Sequence, residues 1–346
     1  MGIEADIRAA NTGEVGMRFI DDNGAPAASF PVGAPGGIDG PTAELEILRG
    51  ELSRILIEHT EDRTDYRFDT QLTDVVDRGG HVTAVLNDDT AIDADLVVVA
   101  EGLRSRSRCF VTSADVNDLG MYFAYVTIPR EQTDDQWWNW QHVAGSRSVH
   151  TRPDNLGTTR AILTFMSDVR GLEDLASADQ INIVRRTFDD VGGAAPRILA
   201  ALNGDAPLYF SSVGQVSSPR WSRGRVALLG DAAFCPATFG GGGTSMALIG
   251  AYVLAGELSS TDDQLVALAR YEQFMRPVVE ATPLARTSVL RRANPRTRAG
   301  IRAFHASARL IASPVGSAIV NVARKRFDGG GDGVRLPDYE PITTEV

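Results

Sequence analysis

The chain has 346 residues and a mass of 37.1 kDa, enough for two compact domains with buried cores. Its 43% hydrophobic and 23% charged residues exclude a wholly disordered chain, a collagen and a disulfide scaffold. A formal net charge of -11 argues against partners such as nucleic acid and anionic lipid.

Cysteine usage, the N-terminus and hydropathy together predict a soluble, cytoplasmic protein. Cys109 and Cys235 stand in no CxxC spacing, so neither a redox pair nor a metal knuckle is indicated. The five histidines fall in no metal-ligand spacing either. The first residues lack the pattern of a signal peptide, and no apolar run reaches the ~18 residues of a spanning helix.

The first third of the chain reads as strands with one helix. Residues 12–30 are predicted to be short strands around a hairpin turn at residues 21–24. Helical spacing of leucines and isoleucines predicts a helix over residues 42–60. Residues 66–86 follow as a second hairpin, and the β-branched run at residues 95–100 predicts a strand buried on both faces of a parallel sheet.

The remaining elements alternate in a way that predicts an α/β fold with an inserted, mostly antiparallel sheet. Residues 121–166 read as strands, and residues 176–202 as helix interrupted at Gly192 and Gly193. A second buried strand at residues 226–229 runs into a glycine-rich turn and a helix over residues 244–258. From residue 265 onward the chain is predicted to be helical and punctuated by prolines 277, 283, 295 and 314.

The segment after residue 229 carries the strongest chemical signal. A buried strand ends in Gly230 and Asp231, and glycines at 240–243 precede a helix. An aspartate just past a strand end can accept hydrogen bonds from ribose or ribityl hydroxyls. A helix beginning near Thr244 offers unpaired N–H groups and a positive dipole end to negative charge. The alternative is that Asp231 only caps a helix.

This segment closely resembles the "GD" motif of FAD-dependent aromatic-ring monooxygenases with the para-hydroxybenzoate hydroxylase fold, which include tetracycline-inactivating monooxygenases. Residues 95–108, with Glu101 and Gly102, resemble the same family's "DG" motif. The resemblance implies that arginines of this segment, Arg108 among them, face a pyrophosphate. Residues 46–56 resemble the family helix whose arginine, here Arg49, reaches the flavin.

The resemblance implies an FAD-binding domain at residues 41–115 and 215–282, a substrate-binding domain at residues 12–40 and 116–214, and a C-terminal helical region at residues 283–346. It implies FAD as cofactor, NADPH or NADH as reductant, dioxygen, and an aromatic or polycyclic small molecule hydroxylated through a flavin hydroperoxide. No side chain is indicated as a catalytic acid or base. The residues expected to bind the cofactor are Arg49, Glu101, Gly102, Asp231, Pro236, Gly243, Thr244 and Ser245.

Some family features are absent or altered. The sequence has no strand–GxGxxG–helix unit, so we expect it to lack at least about 30 residues of the family's N-terminus. Glu101, Phe234 and Thr238 stand where the family usually has Asp, His and Pro. The competing hypothesis is therefore a non-catalytic, truncated remnant that binds FAD weakly or not at all.

Two further patterns, a Trp-x-Trp motif and an arginine-rich stretch, each allow two interpretations. Trp138-Asn-Trp140 matches the first half of the flavin-halogenase signature, but the following residues do not, and Lys325 is the chain's single lysine. A halogenase is therefore disfavoured. The arginine-rich stretch from residue 281 to 327 fits a membrane-surface helix, but helices docked on an acidic body are the favoured interpretation.

Overall fold

The computed structural model describes residues 2–33, 44–204, 206–237, 242–282, 284–314, 316 and 334–339. The chain divides into two compact units. The first unit comprises Met1–Tyr66, Gly120–Ser212 and Thr287–Gly330. The second unit comprises Arg67–Leu119, Val213–Arg286 and Gly331–Val346.

The described residues form strands and helices in a mixed order. The strands are β1 (Gly16–Ile20), β2 (Pro26–Pro31), β3 (Leu72–Asp77), β4 (Val82–Leu86), β5 (Ala91–Ala94), β6 (Val97–Val99), β7 (Asn117–Pro129), β8 (Trp137–Val143), β9 (Arg147–Pro153), β10 (Thr158–Met166), β11 (Leu208–Ser217), β12 (Ser222–Arg223), β13 (Val226–Leu228) and β14 (Phe234–Cys235). The helices are α1 (Glu4–Ala9), α2 (Arg49–Glu58), α3 (Ser177–Phe188), α4 (Ala195–Ala201), α5 (Gly243–Ser259), α6 (Gln264–Glu280), α7 (Thr287–Ala293) and α8 (Arg298–Ala312).

The first unit is built on a large sheet in the order β11-β7-β10-β9-β8-β1-β2. Its described pairings among β7 to β10 and between β1 and β2 are antiparallel, and β1 pairs with β8 in parallel. Side chains alternate between the two faces of each strand. On one face Ala124 and Leu163 pack with Val184, Phe188 and Ile198 of α3 and α4 in a common apolar core.

The second unit contains two small sheets and the helices α5 and α6. β6 and β13 lie side by side in parallel, with Val99 opposite Leu228, and β12 pairs antiparallel with β13. The other sheet has the order β3-β4-β5. The core of the unit brings β13 together with α5 and α6, where Val253, Leu268 and Tyr271 are buried.

Most predicted elements are confirmed. The hairpin turn at residues 21–24 joins β1 to β2, and the predicted hairpin over residues 66–86 is β3 and β4. The break at Gly192 and Gly193 separates α3 from α4, and the strand and helix flanking Asp231 are β13 and α5. The mostly antiparallel sheet expected in the middle of the chain is the large sheet of the first unit.

Three local predictions are wrong. The helix expected from residue 42 begins at Arg49, because Leu48 is extended; residues 42 and 43 lie outside the described residues. β6 is not buried on both faces, since Val98 is 41% exposed while Val99 is 3% exposed. Pro277 lies inside α6, where the missing N–H of a proline removes only one bond of the helix.

The compact units also differ from the expected domain boundaries. Ile55 of α2 packs with Ile3 and Ala10, so α2 belongs to the first unit instead of grouping with β6 and β13. The C-terminal helices α7 and α8 likewise join the first unit. Phe304 of α8 meets the ring of Phe19 edge-on at 5.2 Å between ring centroids. Apolar contacts of these helices, which sequence spacing alone does not assign to a partner, determine the grouping.

Candidate functional site

The carboxyl ends of β6 and β13 place two polar segments at one edge of the second unit's parallel pair. Val99 lies opposite Leu228, so Glu101 follows one strand and Asp231 the other at the same edge. Gly230 has φ +60° and opens a single 3-10 turn, Gly230–Ala232. This left-handed conformation suits glycine, which explains why the strand ends in a Gly-Asp pair.

The start of α5 lies beside Asp231. Gly242 precedes the helix with φ +85°, and no side chain caps the helix start. A Cβ added to Gly243 would lie 3.9 Å from Oδ1 of Asp231, so backbone and carboxylate are adjacent. Within the described residues the amides of Gly243, Thr244 and Ser245 have no hydrogen-bond acceptor, since the first helical bond is donated by Met246 to the carbonyl of Gly242.

The carboxylate of Asp231 interacts with the thiol of Cys235. The N-cap residues of the turn Gly230–Ala232 and of α5 are Leu229 and Gly242, and neither caps its helix with a side chain. The pKa of Cys235 is raised to about 12, mainly because the thiol is buried. The negative charge of Asp231 and a hydrogen bond between the thiol and the Asp231 carboxylate add to the rise. The Cys235 thiol therefore stays protonated and adds no negative charge of its own to this edge.

Glu101 is engaged by its own loop. Its carboxylate accepts hydrogen bonds from the hydroxyls of Ser105 (2.8 Å) and Ser107 (2.7 Å) and from the Ser107 amide (2.9 Å). Burial opposes ionisation, but the bonds from Ser107 and Ser105 outweigh it and lower the pKa of Glu101. The carboxylate thus stays charged and shapes the loop. The partners of Glu101 in the structure are thus residues of its own loop. The cofactor contact expected from the sequence stays a prediction.

Arg108 joins the two polar segments. Its guanidinium donates from Nε to the carbonyl of Ala232 at 2.7 Å and from Nη2 to the carbonyls of Leu103 and Gly102 at 2.6 and 3.3 Å. The side chain is buried, and burial lowers its pKa despite the nearby Cys235 and Glu101. Arg108 therefore has main-chain partners in place of the pyrophosphate expected from the sequence.

The other predicted residues of this unit lie around the same edge. Gly102 has φ +79°, and a Cβ there would meet nothing within 4 Å, so its loop lies open. Pro236 is buried, and its carbonyl accepts a 2.6 Å hydrogen bond from Nε2 of Gln215, which also donates to Ala285. Thr238, Gly240 and Gly241 of the predicted glycine-rich turn lie outside the described residues.

Arg49 lies in the first unit, as the first residue of α2. Its charge acts on the hydroxyl of Tyr125, a residue of β7. Although Tyr125 is 39% exposed, desolvation raises the pKa of its hydroxyl, and the charges of Arg152 and Arg49 oppose that rise. Arg152 is itself paired with Glu14 at 2.7 Å.

The first unit also contains an aromatic patch on β7 and β11, which the sequence analysis did not predict. The rings of Phe123 and Tyr125 meet edge-on at 5.3 Å between ring centroids, and Tyr209 lies 6.2 Å from Tyr125. Tyr209 is 52% exposed and Tyr125 is 39% exposed. We call Phe123, Tyr125 and Tyr209 the aromatic patch. Its signal in the sequence is only the alternation of large side chains along β7.

The residues of the second unit fit a flavin nucleotide. A carboxylate can accept hydrogen bonds from hydroxyls of the flavin side chain. Glycines at a helix start allow a ring to approach the backbone closely, because they have no side chain. The free amides there can then stabilise negative charge on the ring. Two observations support this fit. The first amides of α5 have no hydrogen-bond acceptor among the described residues, and Gly243 lies beside Asp231.

Comparison with known proteins identifies the family. Residues 1–282 match the family described as "FAD binding domain". The chain is 34% identical to the flavin-dependent monooxygenase eupH of Phoma sp, over 87% of this chain and 77% of that protein. Its structure is similar to that of the tetracycline destructase Tet(51), with a TM-score of 0.74 and 26% identity over 98% of this chain and 84% of that one.

A third likeness concerns the fold alone. The p-nitrophenol 4-monooxygenase PnpA from Pseudomonas putida DLL-E4 has a TM-score of 0.66 and 16% identity, over 95% of this chain and 84% of that one. The chain thus belongs to the FAD-binding monooxygenase family, and by homology it is an FAD-dependent monooxygenase. The family predicted from the GD and DG motifs is confirmed. Among the described helices, none combines the length and apolar character needed to cross a membrane.

Proposed function

We propose that the protein hydroxylates an aromatic or polycyclic small molecule with NADPH or NADH as reductant, and that FAD binds at the edge formed by Asp231 and the start of α5. The observation that carries the proposal is the position of a carboxylate beside a helix start whose first amides have no acceptor among the described residues. Such a pair suits a ligand with hydroxyls on one part and developing negative charge on another.

Each residue has a distinct task in this proposal. Asp231 accepts hydrogen bonds from hydroxyls of the flavin side chain, and the amides of Gly243, Thr244 and Ser245 stabilise negative charge on the reduced ring. When bound, FAD reduced by a nicotinamide nucleotide activates dioxygen, so that one oxygen atom is inserted into the substrate. Pro236 supports the turn between these groups through the bond from Gln215 to its carbonyl.

The remaining predicted residues contribute from two places. Glu101 and Gly102 form the loop that Arg108 ties to Ala232, and this loop is proposed to border the cofactor. Arg49 is proposed to contact the flavin, as the resemblance implied. The proximity of its charge to Tyr125 supports a role for this part of the first unit in the reaction.

The aromatic patch supports an aromatic substrate. Tyr125 and Tyr209 expose large ring surfaces, and offset or edge-on ring contacts add about 0.5–1.5 kcal/mol beyond burial of area. A flat polycyclic phenol can stack on such rings while its hydroxyls meet the tyrosine hydroxyls. The relative Tet(51) is described as a tetracycline destructase, which supports a polycyclic substrate for this chain.

The proposal is tested by titrating the purified chain with FAD and then measuring NADPH and NADH oxidation with a panel of polycyclic phenols. We expect quenching of FAD fluorescence on binding, faster oxidation of one reductant with a substrate, and a product heavier by one oxygen atom. Replacing Tyr125 with leucine should raise KM by about two- to tenfold. Weak or absent FAD binding together with no substrate-dependent product would favour the non-catalytic alternative, and FAD binding without product would contradict the proposed hydroxylation.

A matched control separates substrate contact from general loss of aromatic surface. Phe68 lies in the second unit and is 74% exposed, so Phe68→Leu removes a ring outside the aromatic patch. KM should stay unchanged in that variant. Equal effects of Phe68→Leu and Tyr125→Leu would contradict the assignment of the patch.

A further inference from the structure

The first unit contains a polar cavity that is separate from the residues assigned above. The cavity encloses about 350 Å³, a volume in the range of small-molecule sites. It lies between the strands β1, β8 and β9, the turn that joins β1 to β2, and the start of α4. Its lining residues are Ile20, Asp22, Asn23, Gly24, Glu131, Thr133, Asp134, Asn139, Gln141, Val149, Thr151, Gly193, Ala194 and Arg197.

Gln141 is the cavity's most informative residue. It is only 5% exposed, its side chain lines the cavity, and its side-chain amide makes no hydrogen bond with the part of the chain that the structure describes. The amide atoms are not fully buried, so a ligand in the cavity can reach them. The neighbouring Asn139 differs, because its side chain is bound to Arg18 at 2.5 Å and to Asp135 at 3.2 Å. Gln141 therefore presents an amide suited to a ligand.

Gly193 packs closely against the Gln141 amide. It has φ +65°, and a Cβ built there would lie 2.6 Å from Oε1 of Gln141. No larger residue fits this position without displacing the amide. A glycine here therefore lets the Gln141 amide keep its place in the cavity lining.

The charges of the cavity are predominantly negative. Arg197 is paired with Asp134 at 3.0 Å and with Glu131 at 3.4 Å, so its positive charge is already matched. Burial opposes ionisation of Asp134, but Arg197, the Glu131 amide and the Thr159 hydroxyl outweigh it and lower the pKa of that carboxyl. Three carboxylates, including Asp22, thus face one guanidinium in the lining.

We propose that this cavity binds a small organic cation that carries an ammonium or guanidinium group on a short carbon chain. N–H groups of the ligand donate to Oε1 of Gln141, and the positive charge lies near the carboxylates of Glu131 and Asp22. The apolar side chains of Ile20 and Val149 contact the carbon chain. An anionic ligand would meet a surplus of negative charge, and a fully apolar ligand would leave the Gln141 amide without a partner.

The proposal is tested with agmatine as the probe, by calorimetric titration of the full chain with and without FAD. We expect saturable binding of one agmatine per chain that weakens as salt is added. Glu131→Gln should weaken binding about three- to tenfold, and Gln141→Leu about tenfold. Because Glu131 is exposed at the rim, its variant tests the site even where Gln141→Leu fails to fold.

Two controls complete the experiment. Gln273→Leu alters an exposed glutamine of α6 in the second unit and should leave agmatine binding unchanged. The second control ligand is 4-guanidinobutyrate, which replaces the amine with a carboxylate and should bind at least tenfold more weakly. Absence of agmatine binding, equal binding of both ligands, or binding that neither Glu131→Gln nor Gln141→Leu weakens would overturn the proposal.

Discussion

The two units of the chain place their polar groups in different ways. At the edge of β6 and β13 in the second unit, the groups facing a ligand are helix amides and a carboxylate, and buried side chains such as Arg108 hold the main chain in position. On the large sheet of the first unit, side chains themselves form the polar and aromatic surfaces, as in the pairing of Arg152 with Glu14. The contrast is between a site made of backbone and one made of side chains.

This difference determines what each unit tolerates. A backbone site requires particular φ angles and close approaches, so it fixes residues such as Gly230 and Gly242. A side-chain surface can change its residues while the strands stay the same. The second unit is therefore expected to carry the shared cofactor chemistry, and the first unit the features that differ among relatives. Substitutions in either unit can test this contrast, and the largest effect is expected at Arg108.

Replacing Arg108 with methionine should destabilise the second unit most. The side chain keeps its approximate length, but the buried carbonyl of Ala232 and the half-buried carbonyls of Gly102 and Leu103 lose their donor. At about 1–3 kcal/mol for each buried group left without a partner, we expect a loss of about 3–5 kcal/mol. Urea unfolding measures this loss, and hydrogen exchange of β13 peptides shows whether it is confined to the second unit.

The matched control is Arg106→Met in the same loop, because Arg106 is exposed. Its effect should stay within about 0.5 kcal/mol. If both arginine variants have the same small effect, main-chain positioning by Arg108 is not what distinguishes the second unit.

Asp231→Ala should reduce FAD affinity more than it reduces stability. Charge-assisted hydrogen bonds contribute about 1.5–3 kcal/mol, which corresponds to a loss of roughly 10- to 150-fold in affinity. Flavin occupancy and thermal midpoint are measured on the same variant, with Asp263→Ala as the control. Asp263 does cap a helix, since its carboxylate accepts from the amides of Leu265 and Val266. An unchanged occupancy with a lowered midpoint in Asp231→Ala would assign Asp231 a purely structural role.

The strand, turn and helix around Asp231 were predictable from the sequence because their signals are local. Gly230 and Asp231 directly follow the apolar strand Val226–Leu228, and the strand, turn and helix are contiguous in the chain. The role of Arg108 was not predictable in the same way, since its partner Ala232 lies 124 residues away. The same limit applies to Gln141, whose side-chain amide packs against Gly193 from a distant part of the chain. Pairing across long sequence distances depends on packing that no local pattern encodes.

The domain boundaries were harder to predict for a related reason. α2 has the helical spacing of an element that can pack on any apolar surface, and its contacts with Ile3 and Ala10 are what assign it to the first unit. In α8 the apolar residues are interspersed with arginines, so the sequence left its partner open. The structure docks it against β2, with Nε of Arg309 donating to the carbonyl of Ala27 at 3.0 Å.

Acidification should destabilise the first unit more than the second. His142 is 2% exposed; its Nε2 lies 2.8 Å from the carbonyl of Ala293, and its Nδ1 lies 3.1 Å from Nε2 of His305. Burial, aided by His305 and opposed by the Ala293 bond, lowers the pKa of His142 to about 4. The neutral ring satisfies both contacts, whereas protonation at Nδ1 would direct a second N–H toward His305.

The direction of the pH effect follows from linkage. The unfolded chain takes up a proton at His142 near pH 6.5, and the folded chain does so only near pH 4. The free energy of unfolding therefore decreases as the pH is lowered from about 6.5 to about 4. From pH 7 to pH 5 we expect a loss of about 2 kcal/mol, seen as faster hydrogen exchange in β8 peptides than in β13 peptides. His142→Gln should reduce this dependence without abolishing it, because burial also lowers the pKa values of His150 and His305 in the same unit. His81→Gln, at an exposed histidine, should leave it unchanged.

The smallest expected effect concerns Glu101, and it tests whether the loop after β6 is shaped by its carboxylate. The folded pKa of Glu101 lies below its ordinary value, so its ionised form contributes stability above the unfolded pKa, and that contribution is lost as pH falls through the folded pKa. Glu101→Gln keeps the side-chain shape but weakens the bonds from Ser105 and Ser107. We expect a loss of about 0.5–1 kcal/mol at pH 7, measured by urea unfolding, that disappears as pH falls through the folded pKa. FAD affinity should change little if Glu101 acts only on its own loop, whereas a drop comparable to that of Asp231→Ala would mean that the carboxylate also contacts the cofactor, as the sequence resemblance implied.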